Sequence, residues 1–263
     1  MAPKYHREGR PPRQVPSNTA PEPLEVVQGV RAGLAVLARR RADVVRVAFT
    51  HGVRGEIAAA MRAPEARGVR WDEVGEPELN RLADSSHHEG LCVLARPRKW
   101  LPAQELAEAL TRARGTAIAL DRVRNPYNVG AILRSAAFFG VDAALLGAPA
   151  PHPGLPPTAV RVAEGGAEQL LLSRTTDLAD TLGRLRGRGV RVVGADARGP
   201  TRVFDFSFPR PSLLVVGNER EGLGDRVRSQ CDALVSVPGS GAVESLNVAV
   251  AAGVLLGQMV RGG

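Results

Sequence analysis

The segment that decides the fold begins with the apolar run Thr116-Ala117-Ile118-Ala119-Leu120. It continues through a polar turn at residues 121–127, which contains Asn125-Pro126, and then shows a helical pattern from Val129 to Phe139. A strand that is almost wholly apolar is typical of a parallel sheet covered on both faces. This strand–turn–helix order therefore predicts an α/β fold built on a parallel sheet.

The same order recurs towards the carboxyl terminus, which extends the predicted sheet. Further strands are predicted at Ala143–Leu146, Gln169–Leu172, Val190–Gly194, Leu213–Val216 and Leu234–Val237. Further helices are predicted at Leu178–Arg186 and Ser245–Val260. Because ligands of such folds gather beyond the carboxyl ends of the strands, we expect the functional site in those loops.

The amino-terminal half has a different pattern and predicts a separate unit. Residues 1–23 are rich in proline and basic side chains, which predicts a disordered tail. Residues 24–96 predict a small α/β domain, residues 97–115 a linker and helix, and residues 116–263 the main domain. Strands in the small domain are predicted at Val44–Phe49, Val69–Trp71 and Leu91–Ala95, and helices at Val30–Arg40, Ile57–Met61 and Pro77–Leu82.

Composition restricts the class of protein. A net charge of +8 in 263 residues fits a polyanionic partner such as nucleic acid, although genomic bias towards arginine explains it equally well. No apolar run reaches the roughly 18 residues needed to span a bilayer, which predicts a soluble protein without a membrane partner. Cys92 and Cys231 stand apart in apolar surroundings, so we expect buried, reduced thiols and a cytoplasmic location.

Three polar segments follow predicted strands, and each has more than one interpretation. Gly217-Asn218-Glu219 either ends a strand at a ligand or forms an ordinary turn. Gly239-Ser240-Gly241 fails the dinucleotide fingerprint, because position 244 is Glu, and Ser245 there suits a helix cap. Arg134 lies among small and apolar neighbours of a helix, where it either faces solvent or binds an anion.

Taken in order, the three segments resemble the motifs of the SpoU/TrmH family of S-adenosylmethionine-dependent RNA ribose 2′-O-methyltransferases. The matching stretches are Asn128-x-Gly130-x-x-x-Arg134, Gly217-Asn218-Glu219-x-x-Gly222-Leu223 and Pro238-x-x-Gly241-x-x-Glu244-Ser245-Leu246-Asn247-Val248. By motif the resemblance covers roughly residues 116–261. It departs at 163–168, Ala-Glu-Gly-Gly-Ala-Glu, where the family often has Ser and Gly, and extra acids there would alter RNA docking.

The resemblance implies a fold, a cofactor and partners. It implies a carboxyl-terminal trefoil knot, as in SPOUT-like proteins, although threaded chains are rare on general grounds. It implies S-adenosylmethionine as cofactor, ribosomal or transfer RNA as substrate, and a homodimer with the active site at the subunit interface. The implied active-site residues are Asn128, Arg134, Glu219, Ser245 and Asn247. The implied donor-binding positions are Ala195, Gly217, Val237 and Leu246.

The implied chemistry leaves the role of Arg134 open. A ribose hydroxyl is a poor nucleophile, so the reaction needs alignment with the methyl donor and removal of a proton. Arg134 either helps to remove that proton or anchors RNA phosphate, since a free Arg is always protonated in practice. The alternative function is an RNA-binding or ribosome assembly factor of the same fold without turnover.

A histidine pair at the entry to the last strand of the small domain is a further candidate. In Ser85-Ser86-His87-His88-Glu89-Gly90, substrate contact and a capped turn are both open interpretations. A metal site is disfavoured because no other His or Cys pair has ligand spacing, so no metal is expected.

Overall fold

A computed structural model describes residues 23–64, 67–150 and 152–261 of the chain. The predicted tail at 1–23 lies, except for its last residue, outside the described residues. Strands β1 to β11 span Glu25–Gln28, Val44–Phe49, Arg70–Glu73, Leu91–Ala95, Thr116–Asp121, Ala143–Gly147, Leu171–Thr175, Arg191–Ala195, Thr201–Arg202, Ser212–Val216 and Ala233–Ser236. Helices α1 to α9 span Val30–Arg39, Arg54–Arg62, Glu76–Ala83, Ala103–Ala113, Pro126–Phe138, Pro157–Val162, Leu178–Arg186, Asp225–Arg228 and Val248–Arg261.

Residues 25–95 form a four-stranded sheet in the order β1-β4-β2-β3. Strand β4 pairs antiparallel with β1 and β2, whereas β2 and β3 are parallel. Its core contains Val27, Val47, Phe49 and Leu91, all at most 1% exposed. Val160 belongs to the same core, although it lies on α6, much later in the chain. Helix α6 therefore packs against this small sheet.

The carboxyl-terminal half forms a seven-stranded sheet in the order β7-β6-β5-β10-β8-β11-β9, in which every pairing is parallel. Successive residues of a strand face opposite sides of the sheet. Ile118 and Leu120 therefore pack in the core beneath α5 and α9, and Ala117 and Ala119 pack in the core beneath α4 and α7. The predicted α/β class with a parallel sheet is confirmed.

Charged side chains join the two sheets through a buried cluster. Arg98, which is 8% exposed, donates to Glu25 through Nε (2.8 Å) and to Glu168 through Nη2 (3.0 Å). Arg40 donates to the second oxygen of each acid, to Glu168 at 2.8 Å and to Glu25 at 2.9 Å. Although burial alone would lower it, the two carboxylates raise the pKa of Arg40. Each carboxylate thus accepts from two guanidinium groups, as a buried charge requires.

Several elements differ from their predicted bounds. The strand predicted at Gln169–Leu172 lies at Leu171–Thr175 instead, because the edge strand β7 continues through the polar Ser173 and Arg174. The last helix begins at Val248, so Ser245 is not its cap. Asn247 fills that place, since its Oδ1 accepts the amide hydrogens of Ala249 and Val250. Strands β1 and β9 and helices α6 and α8 were not predicted.

Within the part of the chain that the structure describes, no helix is both long and apolar enough to cross a membrane.

Candidate active site

The carboxyl ends of adjacent strands bring three predicted donor-binding positions to one edge of the large sheet. Strand β8 lies between β10 and β11, and it ends at Ala195, which pairs with Val235 of β11. Gly217 directly follows β10, and Val237 directly follows β11. The sheet order therefore places Ala195, Gly217 and Val237 at one edge, where ligands of parallel α/β folds bind.

A chain of hydrogen bonds links one polar side chain from each of the three motifs. Asn128 donates through Nδ2 to Oε1 of Glu219 at 2.7 Å. Asn247 donates through Nδ2 to Oδ1 of Asn128 at 3.1 Å. Asn128 is thus joined to two side chains that lie 91 and 119 residues further along the chain. We name Asn128, Glu219 and Asn247 the Asn128 cluster.

Local structure explains how Asn128 reaches that point. Asn125 caps α5 by accepting the amide hydrogen of Tyr127 at 3.0 Å, and Pro126 occupies the first turn. Both are usual residues for a helix start. The helix therefore begins at Pro126, earlier than the predicted Val129, and Asn128 lies half-buried in its first turn.

The loop at residues 217–224 is held by its own backbone. Asn218 and Gly222 exchange backbone hydrogen bonds of 3.0 and 2.9 Å. The Oδ1 atom of Asn218 also accepts the amide hydrogens of Arg220 and Glu221. A Cβ added at Gly217 would lie 2.2 Å from the carbonyl carbon of Gly222, so only glycine fits there. We name this segment the hairpin loop.

A buried carboxylate anchors the hairpin loop to the end of β5. Asp121, which is 3% exposed, accepts the amide hydrogen of Gly224 at 2.8 Å and a hydrogen bond from Arg122 Nε at 3.1 Å. Hydrogen bonding to Asp121, and further to Glu221, raises the pKa of Arg122. Asp121 was not among the predicted site residues, although its place at the end of an apolar strand was a usable signal.

The loop at residues 237–247, which we name the open loop, is exposed from Gly239 to Asn247. Leu246 has 46% of its surface exposed. Ser245 makes no side-chain hydrogen bond to any residue that the structure describes. The roles of Ser245 and Leu246 therefore stay predictions.

Arg134 lies away from the Asn128 cluster in the same helix. Six residues further along α5 correspond to about 9 Å along the axis and about 120° around it. The Nη1 atom of Arg134 donates to Oε1 of Glu164 at 2.8 Å. Within one chain, then, the predicted catalytic arginine contacts an acid that was not predicted as a site residue.

The histidine pair belongs to a turn of the small sheet. His88 is 3% exposed, and its Nδ1 accepts the amide hydrogen of Gly90 at 3.0 Å. With Nδ1 as acceptor, Nε2 carries the proton, which it donates to Asn80 Oδ1 at 3.0 Å. These contacts fit the capped turn, and of the two histidines only His87 is exposed. Among the described residues, no three His, Cys, Asp or Glu side chains are grouped as metal ligands.

Comparison with known proteins defines the class. Residues 115–257 match the SpoU rRNA Methylase family. The chain therefore belongs to this family of methyltransferases, which confirms the predicted resemblance.

Particular relatives agree with the family. An uncharacterized tRNA/rRNA methyltransferase of Mycobacterium ulcerans is 38% identical over 195 residues, which are 74% of this chain and 63% of that protein. One of Mycobacterium avium is 33% identical over 261 residues, 98% of this chain and 84% of that protein. The chain thus matches less than two thirds of the first relative's length.

Solved structures are similar over most of the chain. The SpoU methyltransferase AviRb from Streptomyces viridochromogenes, solved with AdoMet, has a TM-score of 0.70 and 27% identity, covering 90% of this chain and 89% of AviRb. The AdoMet-bound rRNA methyltransferase from Sinorhizobium meliloti has a TM-score of 0.72 and 25% identity, covering 90% and 87%.

Proposed function

We propose that this protein transfers a methyl group from S-adenosylmethionine to a ribose 2′-OH of ribosomal RNA, with transfer RNA as the second candidate substrate. The observation that carries the proposal is the hydrogen-bonded chain Glu219–Asn128–Asn247 at the carboxyl edge of the sheet. It joins the three motifs of the methylase family at the edge where α/β sheets bind their ligands. Membership of that family supports the reaction class.

The residues at this edge fit S-adenosylmethionine. The strand ends at Ala195, Gly217 and Val237 offer backbone donors and acceptors, and Val237 and Leu246 offer apolar surface for a flat base. AviRb, a related methyltransferase, was solved with this molecule. When bound, S-adenosylmethionine supplies an activated methyl group on a sulfonium. The side chains of this protein must then align the ribose and accept its proton.

Glu219, Asn128 and Asn247 have the chemistry for that alignment. The carboxylate of Glu219 orients the amide of Asn128, and Asn128 in turn fixes the amide of Asn247. Ser245, two residues before Asn247, is exposed and free to contact the sugar. Arg134 would hold an RNA phosphate or assist removal of the 2′ proton, because its guanidinium offers a fork of donors to oxygen anions.

A second copy of the chain would complete the site. Arg134 does not reach the Asn128 cluster within one chain, whereas a homodimer can supply it from the partner. Exposed large apolar side chains on α5, the open loop and α9 support such an interface. They are Phe138, Val243 and Val250, which are 83%, 73% and 54% exposed. We further propose that the loops after β8, β10 and β11 form the family's trefoil knot.

The small sheet and the basic tail are proposed to bind RNA. The net charge of +8 suits a phosphate backbone, whose neutralisation dominates affinity for nucleic acids. Residues 24–96 would form the substrate-binding domain ahead of the methyltransferase domain at 116–263. The proposed location of the protein is the cytoplasm.

Methyl transfer from a tritiated donor tests the proposal. RNA from cells lacking the gene is incubated with the protein, digested to nucleosides and separated by mass spectrometry. We expect label on a 2′-O-methylated nucleoside, and loss of label in Asn128→Ala by about 100-fold. Label on a base would contradict the ribose target. Binding of both RNA and S-adenosylmethionine without transfer would instead favour an assembly factor of the same fold.

A further inference from the structure

Glu164 connects the predicted catalytic arginine to the small sheet. Its Oε1 atom accepts a hydrogen bond from Arg134 at 2.8 Å, and its Oε2 atom accepts one from Arg31 of α1 at 2.5 Å. One carboxylate thus joins a guanidinium from each of the two sheet units. Glu164 lies outside the three motifs that meet in the candidate active site.

The backbone at Glu164 has an uncommon conformation. Its φ angle is +46°, a left-handed conformation that residues with a side chain rarely adopt. Ion pairs as exposed as this one add little to stability. The side chains of Glu164, Arg134 and Arg31 are 32%, 52% and 71% exposed. A strained backbone that carries a weakly stabilising pair indicates a functional reason for the acid.

Two glycines hold the segment in place between helices α1 and α5. A Cβ at Gly166 would lie 3.0 Å from the Cα of Arg134, and one at Gly165 would lie 2.8 Å from the Cβ of Ala35. The backbone that directly follows Glu164 is therefore packed against both helices at once. This packing fixes the point from which the Glu164 side chain reaches Arg134 and Arg31.

We propose that Glu164 is a positioning residue for Arg134 in the methyl-transfer reaction. By accepting from Nη1, Glu164 leaves Nε and Nη2 of Arg134 for an RNA phosphate; to the residues that the structure describes, those two atoms make no hydrogen bond. Arg31 holds the other oxygen of Glu164, so the position of the small sheet bears on the orientation of Arg134. The inference rests on the proposed function and adds the residue that orients its arginine.

Two substitutions separate the effect of the Glu164 charge from the effect of its backbone conformation. Glu164→Gln keeps the size of the side chain and loses its charge. Glu164→Asn removes the contact but suits the left-handed backbone, which Asn tolerates better than Glu. Asp180→Asn is the matched control, because Asp180 forms an exposed ion pair with Arg184 on α7, outside the described site.

Single-turnover methylation of RNA from cells lacking the gene, with saturating S-adenosylmethionine and RNA, gives the main readout. We expect both Glu164 variants to react about 10-fold more slowly, because small errors of alignment are costly in rate. The melting temperature and the affinity for S-adenosylmethionine, measured by calorimetry, are expected to match the wild type. Asp180→Asn is expected to retain the full rate.

A double variant distinguishes positioning from a general structural role. If Glu164 acts through Arg134, Glu164→Gln lowers the rate of the wild type but does not lower that of Arg134→Ala any further. Arg31→Gln should lower the rate about 3-fold, since it frees one oxygen of Glu164.

Several outcomes would overturn the inference. These are a full or increased rate in Glu164→Gln, an undiminished effect on the Arg134→Ala background, or a lowered melting temperature that accounts for the lost rate. A wild-type protein that transfers no methyl group would overturn the proposed function, and this inference with it. An active wild type with an equally active Glu164→Gln would overturn this inference alone.

Discussion

Two loops at the same edge of the large sheet differ in what holds them. The hairpin loop at 217–224 closes on itself through Asn218 and Gly222, and Asp121 fixes its far end. The open loop at 237–247 is exposed from residue 239 onwards. The contacts of the chain itself therefore determine the shape of the first loop. The second loop leaves its surface available to another molecule.

Adding a methyl group to a glycine of each loop should reveal the largest difference in stability between the two loops. Gly217→Ala places a Cβ 2.2 Å from backbone, which we expect to cost about 3 kcal/mol of unfolding free energy. It should also weaken binding of S-adenosylmethionine at least about 10-fold. Gly239→Ala is the matched control, because a Cβ there meets nothing within 4 Å. Urea unfolding and calorimetry measure both; equal effects would show that the loops do not differ.

Thiol reactivity compares the same two regions. Burial raises the pKa of Cys231 to about 11. Its Sγ packs so closely on Gly194, beneath the hairpin loop, that a Cβ added at Gly194 would lie 2.7 Å from it. A cysteine introduced in the open loop by Ser240→Cys should have an ordinary pKa. At pH 8 we expect iodoacetamide to modify position 240 about 100-fold faster than Cys231. As the pH rises towards 11, Cys231 becomes thiolate and the ratio falls. Peptide mass spectrometry resolves the two rates; similar rates would contradict the packing.

Loosening the anchor of the hairpin loop should have a smaller effect. Asp121→Asn keeps the size of the side chain but loses the charge that accepts from Gly224 and Arg122. We expect a loss of about 2 kcal/mol in unfolding free energy, because the Asn side chain keeps one accepting oxygen and leaves one of these two donors without its acceptor. Asp180→Asn, at an exposed pair, should change it by less than about 0.5 kcal/mol. Equal losses in chemical unfolding would remove Asp121 as the anchor.

The smallest effect is expected in the open loop itself. Val243 is 73% exposed, so Val243→Ser should change the unfolding free energy of the dilute protein by less than about 0.5 kcal/mol. If the homodimer is correct, the same variant should weaken association, which analytical ultracentrifugation measures. A loss of more than about 1 kcal/mol at low concentration would mean that the loop packs on its own chain.

The sequence allowed much of the large sheet to be predicted, because its strands are buried on both faces. The apolar run from Thr116 to Leu120 was recognisable for that reason, and the strand is found at Thr116–Asp121. The bounds of the edge strand β7 were predicted wrongly because its polar residues Ser173 and Arg174 interrupt the apolar pattern. The two-residue strand β9 carries too little pattern to be found at all.

The candidate site was predicted only in part, since contacts between distant segments leave no local pattern. Asn128, Glu219 and Asn247 were recognised by motif, and the structure brings them together. The contact between Arg134 and Glu164 depends on how a turn after α6 packs against α5, which spacing within one segment does not reveal.

The position of β10 at the centre of the large sheet bears on how the protein is made. Strand β10 pairs with β5 but is synthesised much later. Asn218, which follows β10, donates a hydrogen bond to the carbonyl of Arg122, which follows β5, and the two residues are 96 positions apart in the chain. At about 5–20 residues per second, a ribosome needs roughly 5–20 s to cover that distance. During this time one apolar edge of the nascent β5 has no partner strand, and such edges promote aggregation. We therefore expect biosynthesis of this chain to benefit from chaperones that shield the edge until β10 emerges.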